Sequence, residues 1–226
     1  MTQSTRKPVL FVLTSYSDVE HNISGYYFSE LAHPLHVLEQ AGIPTRLASI
    51  QGGLPPVYGL DLDDDVVARY WNDDDFQQRI AHTLKLSDTH SEDYSAVLFV
   101  GGHGTMWDFP NSPDVQRIIR ELYEADKPVA AVCHGPAALV NATLSDGRYL
   151  VEGKRVAAFT DAEERAVKLA DVVPFLLETT LKSRGAQHQA VAEWQPLTLV
   201  DGNLITGQNP QSATGVGEAL RDKLNG

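Results

Sequence analysis

The sequence predicts an α/β fold, a three-layer α/β/α sandwich around a mostly parallel sheet. Two observations carry this prediction. Short apolar runs of about four to eight residues, bounded by Pro, Gly or Asp, recur along the chain, as in buried parallel strands. Segments with a helical spacing of apolar residues separate these runs. With 226 residues, 42% hydrophobic and 21% charged, residues 1–226 are expected to form a single domain of average soluble composition.

The first half of the chain begins with a predicted βαβ unit, followed by a segment of different composition. Residues 52–75 are rich in Gly, Pro and Asp and show little periodicity, so we expect a surface excursion or a small lid there. The predicted elements are a strand over Pro8–Thr14, a helix over Glu30–Ala41 that ends at Gly42, a strand near Thr45–Ser49, and a helix over Phe76–Leu86.

The second half alternates strands with helices and closes with a hairpin and a helix. The turn Asp201-Gly202-Asn203 favours the hairpin because such turns join closely paired antiparallel strands. The predicted strands are Ala96–Val100, Pro128–Val132, Lys154–Phe159, Leu197–Val200 and Leu204–Thr206, and the helical segments are Asp114–Ala125, Ala137–Asn141, Asp171–Ser183 and Gln211–Lys223. Ligands of such sheets bind at the carboxyl ends of the strands, where we therefore expect the functional residues.

The charge of the chain excludes some classes of partner. A net charge of −12, from 18 basic and 30 acidic residues, argues against nucleic acid and anionic membrane surfaces. The longest charged tracts, at residues 61–65 and 73–75, are acidic, and no basic patch offsets them. No apolar run approaches the roughly 20 residues that span a bilayer, and the first residues are polar, so we expect a cytoplasmic protein.

Cys133 is the one cysteine of the sequence, which leaves it no partner in this chain for a disulfide or a cysteine metal cluster. It lies where a predicted buried strand gives way to a helical segment, as in a nucleophile elbow. Backbone amides at the start of that segment are expected to stabilise a thiolate and lower the pKa of the thiol. The N–H groups of Gly102 and His134 form a candidate oxyanion hole. The alternative is an inert thiol buried behind a core strand.

The histidines are candidates for a pocket rather than for a metal site. His103 follows the glycine turn after Val100 and is a candidate for facing the pocket. His33 and His36 share a helix face, but no third ligand accompanies them, so structural roles are the stronger interpretation. We expect neither a metal nor a cofactor.

Four short blocks, spread in order over almost the whole chain, carry a family resemblance. They are Ser29-Glu30-Leu31-Ala32-His33-Pro34, Gly102-His103-Gly104-Thr105 with Trp107-Asp108, Cys133-His134-Gly135-Pro136-Ala137, and Gly207-Gln208-Asn209-Pro210-Gln211-Ser212. Together they resemble the ThiJ/PfpI superfamily, which has the flavodoxin-like fold of class I glutamine amidotransferase domains. Leu13-Thr14-Ser15-Tyr16 and Phe159-Thr160-Asp161 resemble its branch of heat-inducible chaperones with glutathione-independent glyoxalase (glyoxalase III) activity.

The resemblance implies roles for individual residues. Cys133 is then the nucleophile, Glu30 the carboxyl group beside its sulfur, and His134 with Glu164 the other members of a Cys-His-Glu triad. Counting from the Phe-Thr-Asp stretch places the acid at Glu164 rather than at Glu163. Without the resemblance, both glutamates are ordinary exposed carboxylates at a helix start, where the helix dipole favours them.

The resemblance also implies the reaction, a cofactor-free lyase activity of D-lactate dehydratase type on methylglyoxal and related 2-oxoaldehydes. Addition of the thiolate to the aldehyde gives a hemithioacetal. Glu30, with a pKa raised by desolvation, then moves a proton through an enediol, and hydrolysis releases a lactate-type 2-hydroxy acid.

Other functions stay open at the level of sequence. The same thiol suits a cysteine peptidase or amidase, and related proteins of the superfamily suggest a protein deglycase. A stress chaperone that binds unfolded clients, or a redox sensor, would need no turnover. The resemblance favours a homodimer.

Overall fold

The computed structural model describes residues 6–18, 20 and 23–226. The helices in these ranges are α1 (Phe28–Gln40), α2 (Asp65–Trp71), α3 (Asp74–Ala81), α4 (Thr105–Asp108), α5 (Pro113–Glu124), α6 (Asp161–Ala166), α7 (Leu177–Ser183) and α8 (Ala213–Asn225). The strands are β1 (Val9–Leu13), β2 (Ser17–Asp18), β3 (Ile23–Ser24), β4 (Tyr26–Tyr27), β5 (Thr45–Ser49), β6 (Val57–Tyr58), β7 (Leu84–Lys85), β8 (Ala96–Phe99), β9 (Val129–Val132), β10 (Arg155–Val156), β11 (Gln187–His188), β12 (Thr198–Asp201) and β13 (Leu204–Gly207). Short 3₁₀ helices cover Leu86–Asp88, Ser91–Asp93, Gly135–Leu139 and Pro210–Ser212. None of the helices described is both long and apolar enough to cross a membrane.

The central sheet follows the strand order β12-β13-β9-β8-β1-β5-β7. Every neighbouring pair in it is parallel except β12 with β13, the predicted hairpin. The strands β1, β8 and β9 consist of fully buried apolar residues, because helices cover both faces of the sheet. The predicted α/β/α sandwich with a mostly parallel sheet is confirmed.

The two faces of the sheet bury separate cores. Alternate side chains of β1 point to opposite faces, so Leu10 packs with the core under α5 and Phe11 packs with the core under α1 and α8. Helices α1 and α8 approach closely at Gly217, where a Cβ would lie 2.7 Å from the Cα of Pro34. This packing fixes α1, the helix that carries Glu30.

The carboxyl ends of three central strands lie side by side. The parallel register pairs Val12 of β1 with Phe99 of β8, and Phe99 with Ala131 of β9. The residues that follow these strands, Gly101 and Cys133 among them, therefore meet at one edge of the sheet. The candidate site is at this edge.

The strand predicted over Lys154–Phe159 contains only β10, which pairs with β11 outside the central sheet. The rest of the segment is extended without a strand partner, and its last backbone N–H, on Phe159, donates to the carbonyl of Cys133 at 2.9 Å. The segment therefore runs past the end of β9 and carries Phe159 to the candidate site.

Two predicted helices have different limits in the structure. The helix expected over Asp171–Ser183 begins at Leu177, since Pro174 disfavours helical backbone at the residue before it. The helix expected over Phe76–Leu86 ends at Ala81, and the edge strand β7 follows it.

The segment of residues 52–75 contains a helix, α2, that the sequence did not predict. The Asp64 side chain caps it by accepting hydrogen bonds from the N–H groups of Val66 and Val67, and Val67 is buried in the core with α1. In the same segment β6 pairs with β4, which places Tyr58 beside Tyr27. A lid function for this segment stays a prediction, as does the division of the chain into one domain.

Candidate active site

Cys133 lies in a sharp turn at the end of β9. Its φ of 59° is in the left-handed region, which non-glycine residues adopt at a cost in free energy. The Cys133 N–H donates to the Gly207 carbonyl at 2.9 Å, and its own carbonyl accepts from Phe159, so neighbours on both sides hold the turn. The structure thus has the backbone geometry expected of a nucleophile elbow.

The protonation state expected for Cys133 is wrong. Only 3% of the residue is exposed, and burial, reinforced by the carboxyl group of Glu30, raises the pKa of the thiol well above its ordinary value. The amides that follow belong to a 3₁₀ helix of 5 residues rather than to a long α-helix, so the dipole available to a thiolate is small. The resting sulfur is therefore a thiol.

Glu30 lies in the first turn of α1 and is completely buried. Within the described part of the chain, neither carboxyl oxygen has a hydrogen-bond partner of ordinary geometry. Burial raises the pKa of Glu30 to about 8, and the nearby Cys133 thiol and Gly101 N–H oppose this only in part. The carboxyl group that lies against the sulfur is therefore protonated at pH 7.

The glycine turn after β8 makes room for this carboxyl group. A Cβ on Gly101 would collide with Oε2 of Glu30 and with the carbonyl oxygen of Val132. Gly102 has a φ of 113°, and a Cβ there would lie 2.6 Å from the Cα of Tyr26. The glycines are thus required by close backbone approach, which the sequence motif alone does not reveal.

His134 and Glu164 form a buried pair next to the cysteine. Nε2 of His134 lies 2.7 Å from Oε2 of Glu164, and Nδ1 lies 3.4 Å from Sγ of Cys133. Burial, together with the neighbouring His103, lowers the pKa of His134 to about 4, although Glu164 opposes this. The imidazole is therefore neutral, with Nδ1 free to accept a proton from the sulfur when Nε2–H donates to Glu164.

Glu164 accepts a second hydrogen bond, from His103, whose Nε2 lies 2.8 Å from Oε1. Burial tends to raise the pKa of Glu164, but the two histidines outweigh it and lower the pKa to about 2. Two imidazoles thus hold one carboxylate. The pocket prediction for His103 agrees with its position, although its ring nitrogens are occupied by protein groups.

Tyr58 completes this network and was missed by the sequence analysis. Its hydroxyl lies 2.9 Å from Nδ1 of His103 and accepts from the His103 N–H at 3.1 Å. No sequence signal marks Tyr58, since it lies in the irregular segment of residues 52–75. The pairing of β6 with β4 brings it to the site.

The two adjacent glutamates have different surroundings. Both are buried, with 0% of Glu163 and 2% of Glu164 exposed. The interpretation of the two as exposed carboxylates at a helix start is therefore wrong. Glu164 alone of the two contacts His134, while Glu163 accepts from the backbone of Trp194 and from side chains including Asn209. The geometry therefore favours Glu164 as the partner of the histidine.

The N–H groups of Gly102 and His134 form no hydrogen bond with an acceptor in the residues described here. Of the two residues, His134 lines the pocket. Their use as an oxyanion hole stays a prediction.

A pocket of about 390 Å³ opens onto the sulfur. It is lined by Tyr27, Glu30, Tyr58, His103, Cys133, His134, Phe159, Val167, Trp194, Pro210 and Gln211. Its volume is within the range of small-molecule sites, which is roughly 300–1,000 Å³. Seven of the lining residues were not assigned to the site from sequence: Tyr27, Tyr58, Phe159, Val167, Trp194, Pro210 and Gln211.

Three side chains of the candidate site could hold a metal ion. Ligand atoms of His103, His134 and Glu164 lie within 4.8 Å of one another, a donor set that suits zinc. In the structure both Nε2 atoms face Glu164 at hydrogen-bond distance, so an ion there would replace two N–H donors. The expectation of no metal and no cofactor stays a prediction.

Comparison with known proteins agrees with the fold. A sequence profile of the DJ-1/PfpI family matches residues 23–221. Glyoxalase 3 of Candida albicans is 32% identical over 231 residues, covering 93% of this chain and 95% of that protein. Glutathione-independent glyoxalase HSP31 of Saccharomyces cerevisiae is 32% identical over 225 residues, covering 92% of this chain and 93% of that protein. The crystal structure of glyoxalase III from Candida albicans superposes with a TM-score of 0.88 at 29% identity, covering 96% of each chain.

The family match spans most of the chain and includes the start of α1, β8, β9 and the turns that follow these two strands. The matches cover nearly the whole length of these relatives, so the similarity concerns the entire fold. The chain therefore belongs to the DJ-1/PfpI family, as its resemblance to ThiJ/PfpI proteins predicts.

Proposed function

We propose that this chain is a glutathione-independent glyoxalase, which converts methylglyoxal and related 2-oxoaldehydes to 2-hydroxy acids. The names of the two curated relatives support this proposal. The observation that carries it is that a buried, protonated carboxyl group, Glu30, lies against the buried thiol of Cys133 in a pocket. A carboxyl group whose pKa is near the working pH can both give and take a proton.

The first step is addition of Cys133 to the aldehyde carbon. The S–C bond forms while the thiol proton passes to Nδ1 of His134, and the proton then moves to the former aldehyde oxygen, giving a neutral hemithioacetal. Because burial raises the pKa of the thiol, proton transfer accompanies the addition rather than preceding it. The free N–H groups of Gly102 and His134 would stabilise the charge that develops on the oxygen.

In the second step Glu30 moves protons within the substrate. The carboxyl group donates its proton to the oxygen on carbon 2, and the resulting carboxylate accepts the proton of carbon 1, which gives an enediol. Glu30 then donates to carbon 2 and accepts the proton of the carbon-1 hydroxyl. The product is a 2-hydroxyacyl thioester on Cys133, and Glu30 returns to its protonated form.

The last step is hydrolysis. Water attacks the thioester carbonyl and gives a proton to Nδ1 of His134, whose ring is held by Glu164. The C–S bond breaks, the 2-hydroxy acid leaves, and the sulfur regains its proton from His134. The steps together add one water molecule to the 2-oxoaldehyde.

The test is to incubate the pure protein with methylglyoxal in the absence of glutathione and to measure lactate. We expect lactate from the wild type and none from the Cys133→Ala variant, because the variant cannot form the hemithioacetal. Full activity of that variant would contradict covalent catalysis. In heavy water, deuterium at carbon 2 of the product is expected from the enediol, whereas its absence would indicate hydride migration.

The other functions considered from sequence are separated by their substrates and, for a chaperone, by the same variant. A peptidase or amidase would release amines from acyl substrates, and a deglycase would act on glyoxal adducts after free aldehyde has been removed. Suppression of client aggregation that survives Cys133→Ala would assign a chaperone role to another surface. The homodimer, the unfolded clients and the cytoplasmic location stay predictions.

A further inference from the structure

The pocket is larger than methylglyoxal requires. At about 30 Å³ for each non-hydrogen atom, the volume of a water molecule in the liquid, methylglyoxal fills roughly 150 Å³. The pocket has about 390 Å³. More than half of the space next to Cys133 is therefore available to the group that a 2-oxoaldehyde carries on its ketone carbon.

An apolar wall bounds this extra space. Phe159 packs against the ring of His134 with a centroid distance of 4.3 Å, and Trp194 packs against Phe159 at 5.8 Å. The wall therefore begins at the reacting groups and continues outwards. Trp194 and Val167, which also lines the pocket, each keep 37% of their surface exposed, an apolar area that a ligand would cover.

Trp194 is held in a conformation that bulky residues rarely adopt. Its φ is 63°, in the left-handed region. Such a conformation persists only when the surrounding structure holds it. The group that holds it is Glu163, because the Trp194 N–H donates to Oε1 of Glu163 at 3.0 Å.

Glu163 is a buried carboxylate with hydrogen bonds to several segments. Oε1 also accepts from Nδ2 of Asn209 at 2.9 Å and from Nε2 of Gln208 at 3.2 Å. Oε2 accepts from the N–H and the hydroxyl of Thr160 at 3.0 and 2.9 Å. Burial opposes the charge, but these donors prevail and lower the pKa of Glu163. Helix α6 thus joins the Trp194 turn to the loop before α8.

We propose that Glu163 is a positioning residue that holds Trp194 as an apolar wall, and that this wall makes the site prefer 2-oxoaldehydes with a large apolar or aromatic group over methylglyoxal. The preference rests on the proposed glyoxalase function. The existence of the wall and its effect on ligand choice do not rest on that function. Both can be measured without turnover.

The first measurement is the ratio of kcat/KM for phenylglyoxal to that for methylglyoxal. We expect the wild type to favour phenylglyoxal and Trp194→Ala to lower the ratio at least about tenfold, mainly through KM for phenylglyoxal. Trp194→Phe should keep most of the ratio. Glu163→Gln should lower it about threefold or more, because an amide cannot accept from all five donors.

The second measurement is alkylation of Cys133, which is the one cysteine of the chain and so reports on this pocket alone. The rate with N-benzyl iodoacetamide is divided by the rate with iodoacetamide, both followed by mass spectrometry. This ratio should fall in Trp194→Ala and in Glu163→Gln by factors similar to those for turnover. It requires folded protein but no glyoxalase activity.

Glu193→Gln is the matched control, since Glu193 is the exposed neighbour of Trp194 and the same chemical change there should alter neither ratio. If Glu163→Gln does not fold, Gln208→Ala removes one donor to Glu163 and should change both ratios in the same direction. Unchanged ratios in Trp194→Ala would overturn the proposal. A wild type that turns over neither aldehyde but still prefers the benzyl reagent would overturn the proposed function and leave the wall intact.

Discussion

The first turns of α1 and α6 each bring a buried glutamate to the candidate site, Glu30 and Glu164, yet the two carboxyl groups have opposite protonation states. Glu30 in α1 has no hydrogen-bond partner of ordinary geometry in the described residues, and burial raises its pKa to about 8. Glu164 in α6 is buried as well, but His134 and His103 lower its pKa to about 2. Burial by itself makes a carboxyl group neutral, and hydrogen-bond donors decide whether it stays charged.

This difference suits the two tasks that the proposed reaction requires. A proton carrier must change its protonation state during turnover, whereas the partner of a histidine must keep its charge and orient the ring. Glu30 meets the first requirement and Glu164 the second. Four predictions would contradict or refine this division of roles.

The largest effect is expected from Glu30→Gln, which keeps the size of the side chain and removes the exchangeable proton. We expect kcat for methylglyoxal to fall about 10²–10⁴-fold, while iodoacetamide still alkylates Cys133. Lactate formation and labelling are measured on the same samples, with Glu193→Gln as the control. Wild-type rates from Glu30→Gln would assign the proton transfer to another group.

A smaller loss is expected from Glu164→Gln. The amide can accept from one histidine but not from both, so kcat should fall about 10²-fold with little change in KM. Glu163→Gln serves as the comparison, because it should affect the choice of substrate more than kcat for methylglyoxal. A larger loss of kcat in Glu163→Gln would reverse the assignment of the acid.

The third prediction concerns stability against pH. The pKa of Glu30 is about 8 in the folded chain, against an ordinary value of 4.5, so between these values the folded state binds more protons than the unfolded state. The contribution of Glu30 to the free energy of unfolding therefore falls as pH rises from 5 to 8, by at most about 1.4 kcal/mol per pH unit. Urea unfolding at several pH values should show that Glu30→Gln removes this fall.

Glu164 and His134 provide the opposite sign and an internal check. Both have lowered pKa values, about 2 and about 4, so the unfolded state binds more protons and stability is lost as pH falls below their unfolded values. The loss of stability caused by Glu164→Gln should therefore be measurable near neutral pH and become smaller in acid. The same stability loss at every pH would mean that Glu164 is not charged in the folded state.

The smallest effect is expected from Tyr58→Phe. It removes the hydroxyl that shares a hydrogen bond with Nδ1 of His103, at a cost of about 1 kcal/mol, or roughly a fivefold loss of kcat. Tyr123→Phe, on α5 and outside the pocket, is the control. A Tyr58→Phe variant with an unchanged rate would limit the working network to Cys133, His134 and Glu164.

Much of the site could be predicted because its residues have local signals. The apolar run before Cys133, the glycines after β8 and the helix start at Glu30 all appear within a few residues of the chain. Tyr58 and Trp194 have no such signal, since each lies in a stretch without periodicity and reaches the pocket through contacts with distant segments. Residue patterns alone did not separate Glu163 from Glu164, which were told apart only through the family resemblance.

The protonation state of Cys133 also could not be predicted from local sequence. The turn at Cys133 was predicted from its neighbours, but the pKa of the thiol depends on how much water the other layers of the fold exclude. A sequence pattern at residue 133 contains no information about the carboxyl group that α1 places beside it.

The sequence by itself determined the α/β/α class, the main strands of the parallel sheet and the position of Cys133 at a strand end, because periodicity and turn chemistry act over short stretches of chain. The tertiary structure decided which glutamate is charged, which tyrosine and tryptophan line the pocket, and whether the sulfur is protonated. These properties depend on desolvation and on hydrogen bonds between residues far apart in the sequence, which exist only once the layers have packed.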